Sequence, residues 1–364
     1  MEINTTYPPT LPPYPINIRY ILSVALSVTC FVGLFGNGLV MLSVVLSRKL
    51  QTKTNIFVFT LAVSDFMTCL GMPFSAISFV HEELPFPHAV CTLGACLIWV
   101  GVGSSTINLA YIAWNRFMLI TRSRTSYDNI FCKLNVTFMI IFAWAFPFLL
   151  YIVPVFVLLD GIGYTEYFHV CMTDAFAYLG VFFQIPSSIV IVVCYFKIFR
   201  HIRAHSVGLK SHTVKGEPSS SSHSQSSAEY KKNGQSRSKV TLVPSSATTP
   251  TVTRKTPKSG FVQSISSRQV QVTKNMFFVV CGYYICIMPY AIVTMFTDIV
   301  DPKIWSFALP WTTAFLLLNS CVNFVIYSFN HPQFQLVFHK ITTCNWREIP
   351  QPSPLLQSIL SLRR

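Results

Sequence analysis

Charge is what this chain has least of. Only 11% of its 364 residues are Asp, Glu, Lys or Arg, where a soluble chain of ordinary composition carries roughly a quarter. With 52% hydrophobic residues beside that scarcity, a membrane protein is the first expectation. A basic n-region is also missing: Met1–Pro15 is polar and proline-rich, so no cleavable signal peptide is expected and the first apolar segment inserts by itself. Catalytic signatures are missing too. There is no nucleophile–base arrangement, no phosphate loop and no zinc spacing, and the histidines are scattered, mostly in loops. An enzyme is not expected.

What is present is length of apolar run. A helix needs about 20 residues to cross a hydrocarbon core, and seven stretches qualify, at roughly 20–47, 54–80, 91–121, 132–159, 176–202, 270–297 and 305–329. Lipid cannot satisfy an open backbone, and the runs are too long for barrel strands, so the fold class is an all-α membrane protein, a seven-transmembrane helix bundle. A short amphipathic helix is expected after the seventh span, at 331–341. The chain then divides into a tail at 1–19, spans one to five at 20–202, a third inner loop at 203–269, spans six and seven at 270–329, and a tail at 330–364. The loop core SSSSHSQSS is polar enough to stay disordered.

Of the 27 Lys and Arg, all but Arg19 and Lys303 fall on one side, which leaves 25 there. The positive-inside rule then puts the N-terminus outside and the C-terminus in the cytosol of a multi-pass protein. The +14 net charge reads as that asymmetry and as attraction to anionic membrane lipids rather than to nucleic acid. Asn4-Thr5-Thr6 is a glycosylation sequon on the outer side. Of eleven cysteines, Cys91 and Cys171 map to the oxidising side, where a disulfide would pin the second outer loop to span three. Cys344, just past the amphipathic stretch, is a candidate for palmitoylation.

Polar groups inside lipid need partners. Asn37 lies in span one, Asp65 in span two, Ser105 in span three, and Asn319, Ser320 and Asn323 in span seven, where 319, 323 and Tyr327 share a helix face. Asp65 is the one acid deep in any span. Two readings account for this set: hydrogen-bonded glue between helices, or one interior cluster that neutralises a buried carboxylate and holds an ion or proton.

In order along the chain stand Gly36-Asn37, LAVSD at 61–65, Cys91 twenty-five residues before Arg116, Trp144, Pro186, Pro289 and NSCVNFVIY at 319–327. The set resembles the rhodopsin-like (class A) G-protein-coupled receptors, and AWNRF, CYFKIF and NSCVNxxIY are most similar to the branch of melatonin receptors and related orphans. The resemblance implies a plasma-membrane receptor coupled to heterotrimeric G proteins, with receptor kinases and arrestin as further partners. It implies a sodium ion held by Asp65, Ser105, Asn319 and Ser320, and an activation set of Asn115, Arg116, Phe117, Tyr195, Asn323 and Tyr327. A pocket for an extracellular small molecule would be lined by Ile98, Trp99, Val102, Tyr178, Phe182, Tyr290, Thr294, Thr313 and Leu317. No acid stands at Ile98 to meet an amine. Leu317 stands where opsins carry the retinal lysine, so no retinal is expected. A neutral or lipid-like ligand fits best, with a peptide ligand, or a channel or transporter, as alternatives.

The departures carry information as well. The family's Asp-Arg-Tyr triplet is Asn115-Arg116-Phe117, which strips Arg116 of its neighbouring acid and predicts raised basal signalling. Ile287 replaces the tryptophan before Pro289, Phe324 replaces the proline of the span-seven signature, and Pro154 stands where melatonin receptors are expected to carry a ligand-binding Asn.

Overall fold

The structure, a computed structural model, describes residues 14–81, 83–158, 163–165, 168–172, 177–214, 267–296, 299 and 301–362. The chain comprises two compact units, Met1–His201 with Ile265–Arg364, and Ile202–Ser264. Within the second, the described part is the end of one helix. The first contains the site and the other elements.

Among the described residues, seven helices are long and apolar enough to cross a membrane. They are α1 (Ile16–Leu46), α2 (Lys53–Val80), α3 (His88–Thr121), α5 (Lys133–Leu158), α6 (Ala177–Val214), α7 (Ser267–Met295) and α8 (Pro302–Asn330). Between them lie α4 (Arg124–Ile130) in the second inner loop and an antiparallel pair, β1 (Gly163–Thr165) with β2 (Val170–Met172), in the second outer loop. After α8 come α9 (Pro332–Thr342) and α10 (Pro354–Leu362). The seven-helix bundle expected from hydropathy is therefore the fold, and α9 occupies the stretch read as amphipathic.

Local chemistry sets the ends. Thr52 Oγ1 accepts the Asn55 amide at 3.2 Å to start α2, and Asp301 accepts the Lys303 amide at 2.8 Å with Pro302 in the first turn of α8. One boundary is corrected. The fifth span does not end its helix near 202: α6 continues to Val214, and the next helix begins at Ser267 rather than 270. Hydropathy marks where a helix leaves lipid, not where its hydrogen bonding stops, and the first proline beyond that point is Pro218.

Close approach between helices depends on glycine at two places. A Cβ on Gly101 of α3 would stand 2.2 Å from Thr68 Oγ1 of α2, and one on Gly36 of α1 would stand 2.3 Å from the Phe324 ring of α8. These contacts bring α1, α2, α3 and α8 together, and they bury the polar residues singled out above. The outer-loop pair is fastened by the Cys91–Cys171 disulfide, with a Cα–Cα distance of 5.1 Å.

Candidate functional site

Asp65 is buried in α2. Its Oδ2 accepts a hydrogen bond from Asn323 Nδ2 of α8 at 2.7 Å. Asn37 of α1 donates through Nδ2 to Gly33 O at 3.0 Å and to Ser320 O at 2.7 Å, so α1, α2 and α8 are tied by polar bonds. Ser105 of α3 lies against the Asp65 carboxylate, its hydroxyl short of a well-formed hydrogen bond. Asp65 Oδ1, Ser105 Oγ, and the Oδ1 atoms of Asn37, Asn319 and Asn323 are buried without a hydrogen-bond partner among the described residues.

A buried oxygen without a partner costs about 1–3 kcal/mol, so several at one depth need an explanation. Of these side chains, Asn323 and Ser105 are the ones that lie against the Asp65 carboxylate, and among the described residues no three His, Cys, Asp or Glu side chains gather as a metal-binding group. Asn323 proves to be the direct partner of the acid. Ser320 contributes its carbonyl to Asn37, and its side chain lies against the Cys69 thiol.

The cytosolic end of α3 forms a second part. Asn115 and Arg116 are buried. Asn115 Oδ1 accepts from Thr54 Oγ1 of α2 at 2.7 Å, and its Nδ2 donates to Tyr127 OH of α4 at 3.1 Å. Its amide is thus spent on holding α2 and α4. Arg116 forms no ion pair among the described residues, and its Nε lacks a partner. Its charge is felt by Tyr195, Tyr127 and Tyr327. The Tyr195 and Tyr327 hydroxyls are buried and have no hydrogen-bond partner among the described residues. Phe117 receives the Lys197 ammonium at 5.6 Å from its ring centre. In α4, Asp128 bonds Lys53 at 2.7 Å and Arg124 at 3.0 Å, and the Lys53 hydrogen bond leads in holding its carboxyl below the usual range.

Toward the outer side, Trp99 stacks on Tyr151 at 5.7 Å and meets Tyr290 at 6.0 Å. Ile98, Val102, Thr294, Thr313 and Leu317 are buried, and Ile98 packs against Gly71 of α2. Tyr178 and Phe182 lie on α6, but their side chains fall outside the described residues, as does Asn4. A groove of about 310 Å³ between α1 and α2, walled by Ser27, Phe31, Pro73 and Ile77 among others, contains none of these pocket residues. Cys344 is exposed just beyond the end of α9.

Sequence reasoning missed four contributors. Tyr151 lies in a span read only as apolar. Thr54 and Tyr127 become visible once Asn115 is known to need an acceptor and a donor. Phe324, read as a lost proline, covers Gly36 and meets Phe35 at 6.5 Å and Phe338 of α9 at 5.8 Å.

Comparison with known proteins agrees with this architecture. Residues 36–327 match the family "7 transmembrane receptor (rhodopsin family)". Protein trapped in endoderm-1 of Drosophila melanogaster is 26% identical over 155 residues, 42% of this chain and 39% of that protein. The alpha-1A adrenergic receptor of Bos taurus is 26% identical over 351 residues, 93% of this chain and 70% of that receptor. The crystal structure of squid rhodopsin superposes with a TM-score of 0.67 at 19% identity, covering 96% of this chain and 91% of that one. The melatonin-receptor branch expected from AWNRF and CYFKIF draws no support from these relatives.

Proposed function

The chain belongs to the rhodopsin family of seven-transmembrane receptors, and from that premise we propose that it carries an extracellular signal to heterotrimeric G proteins with a high ligand-independent output. The observation that carries the second half is the diversion of Asn115. Its side chain binds Thr54 and Tyr127, and among the described residues no carboxylate pairs with the buried Arg116. A receptor whose resting state lacks that restraint populates its active state more.

The same reading gives the remaining residues their roles. Asp65, Ser105, Asn319 and Ser320, with Asn323 beside them, would hold sodium. The ion would supply the counter-charge for the carboxylate and partners for the orphan oxygens. Without it, Asn323 keeps α8 bonded to α2 through Asp65. Tyr195, Tyr327 and Phe117 line the approach to Arg116, where the G protein would dock from the cytosol. Trp99, Tyr290, Thr294, Thr313 and Leu317, with Ile98, Val102, Tyr178 and Phe182, would form the ligand pocket. Tyr151 adds a further ring to it. The described pocket side chains include no ionised group, which favours a neutral or lipid-like ligand. A plasma-membrane location, Asn4 glycosylation, Cys344 palmitoylation, contact with anionic lipids, and control by receptor kinases and arrestin through exposed Ser358 and Ser361 complete the proposal.

The test is G-protein activation in cells expressing the receptor without added ligand. Output well above mock-transfected cells at measured surface expression is expected. Output equal to mock removes the basal-activity reading.

A further inference from the structure

Beyond α9 the chain does not trail away. It reverses at Cys344, with φ 58°, and the Asn345 amide donates to Lys340 O at 2.9 Å. The turn Trp346–Glu348 follows, fastened to α9 by an ion pair between Lys340 and Glu348. Residues 350–353 then run antiparallel to the inner end of α1. Ser47 Oγ donates to Pro350 O at 2.8 Å, the Arg48 amide to Gln351 O at 2.9 Å, and the Ser353 amide to Leu46 O at 2.9 Å. Ile349 and Leu356 are buried on either side of this pairing.

Ser353 is the middle of the device. It is 1% exposed, its Oγ accepts the Leu356 amide at 3.3 Å, and its carbonyl receives the Gln357 amide at 3.0 Å as α10 begins. It is followed directly by Pro354, and a hydroxyl before proline is the minimal substrate of proline-directed protein kinases. The other serines of α10, Ser358 and Ser361, are exposed and precede Ile359 and Leu362.

We propose that Ser353 is a phosphorylation site for a proline-directed protein kinase, and that the phosphate holds the tail off the first inner loop. ATP supplies the group. The Ser353 Oγ–P bond forms as the bond from the γ-phosphorus to its bridging oxygen breaks, ADP leaves, and the hydroxyl proton passes to the kinase's base. The kinase acts on the undocked tail, which local opening exposes. Gln351 in the paired stretch has φ 49°, a left-handed conformation that a side-chain-bearing residue keeps only under restraint. Once added, the dianion has no place at a position enclosed by Leu46, Leu356 and backbone, so redocking is blocked. The competing outcome is a phosphate gripped by the exposed Arg48 and Lys49 of the same loop, which would tighten docking. The cytosolic side of the tail rests on the receptor topology above, while the test below is independent of signalling.

Two further threonines precede proline, Thr249 and Thr256, and both are changed to Ala in the full-length protein used. The purified protein in lipid nanodiscs is treated with ATP and a proline-directed kinase. Phosphate is located by peptide mass spectrometry, and amide exchange is followed over 46–51 and 350–362. Phosphate on Ser353 is expected, with exchange over both segments accelerated about tenfold or more. Ser353→Ala should take no phosphate there. Pro354→Ala should take none and keep slow exchange, which separates loss of recognition from loss of docking. An unmodified Ser353, or a phosphorylated one with unchanged or slower exchange, overturns the proposal.

Discussion

Asn115→Asp is the sharpest perturbation the cytosolic site offers, because it restores an acid without asking the neighbours to move. Thr54 already donates to this side chain. The Tyr127 hydroxyl, now an acceptor, can rotate to donate. The new carboxylate therefore enters with hydrogen-bond donors in place and lies next in sequence to Arg116, which has no ion pair among the described residues. A charge-assisted bond to Arg116 gives about 1.5–3 kcal/mol, and burying the carboxylate takes back part of it. A net gain of about 1–2 kcal/mol for the resting state shifts its ratio to the active state by about 5–30-fold. The assay is ligand-free G-protein activation at matched surface expression, with Asn115→Ala as companion. That variant loses both hydrogen bonds and gains no acid. Basal output should fall sharply in Asn115→Asp and not in Asn115→Ala. Unchanged or higher output in Asn115→Asp refutes the idea that a missing acid sets the resting equilibrium.

Two further outcomes follow from the packing. Asp65→Asn removes the single carboxylate of the polar cluster, so sodium should no longer alter agonist affinity or thermal stability; sodium sensitivity equal to wild type defeats the assignment. Gly36→Ala would place a Cβ 2.3 Å from the Phe324 ring, costing about 1–3 kcal/mol by overpacking. It should lower the apparent Tm of purified receptor, with recovery in Gly36→Ala combined with Phe324→Leu. An unaltered Tm in the single variant shows that the ring moves freely.

The bundle was legible because each apolar run exceeds what a soluble core needs, and lipid permits such a run only as a helix. The Asp65 cluster was legible for the opposite reason: a lone acid in an oily span compels a search for partners, and Asn323 was in the set. The elements that escaped depend on distant residues. Tyr127 makes α4 worth forming because it is buried against Phe131 and receives the Asn115 amide, and a seven-residue window of mostly polar side chains carries no sign of that. The pairing of Ser47 with Pro352 joins residues three hundred apart, and neither flank has the alternation of a strand. In composition Ser353 is indistinguishable from the exposed tail serines Ser358 and Ser361, and burial is what separates it from them.

Phe324 has a mechanical consequence. With phenylalanine where relatives are expected to interrupt the helix, the proline inside α8 is Pro310, well before the polar residues at 319–323. From Trp311 to Asn330 no residue lacks an amide donor, so the segment should turn as a stiff rod about a hinge in its outer half. Phe338 rides on its lower end through Phe324, so a tilt begun near the ligand would be delivered undamped to α9.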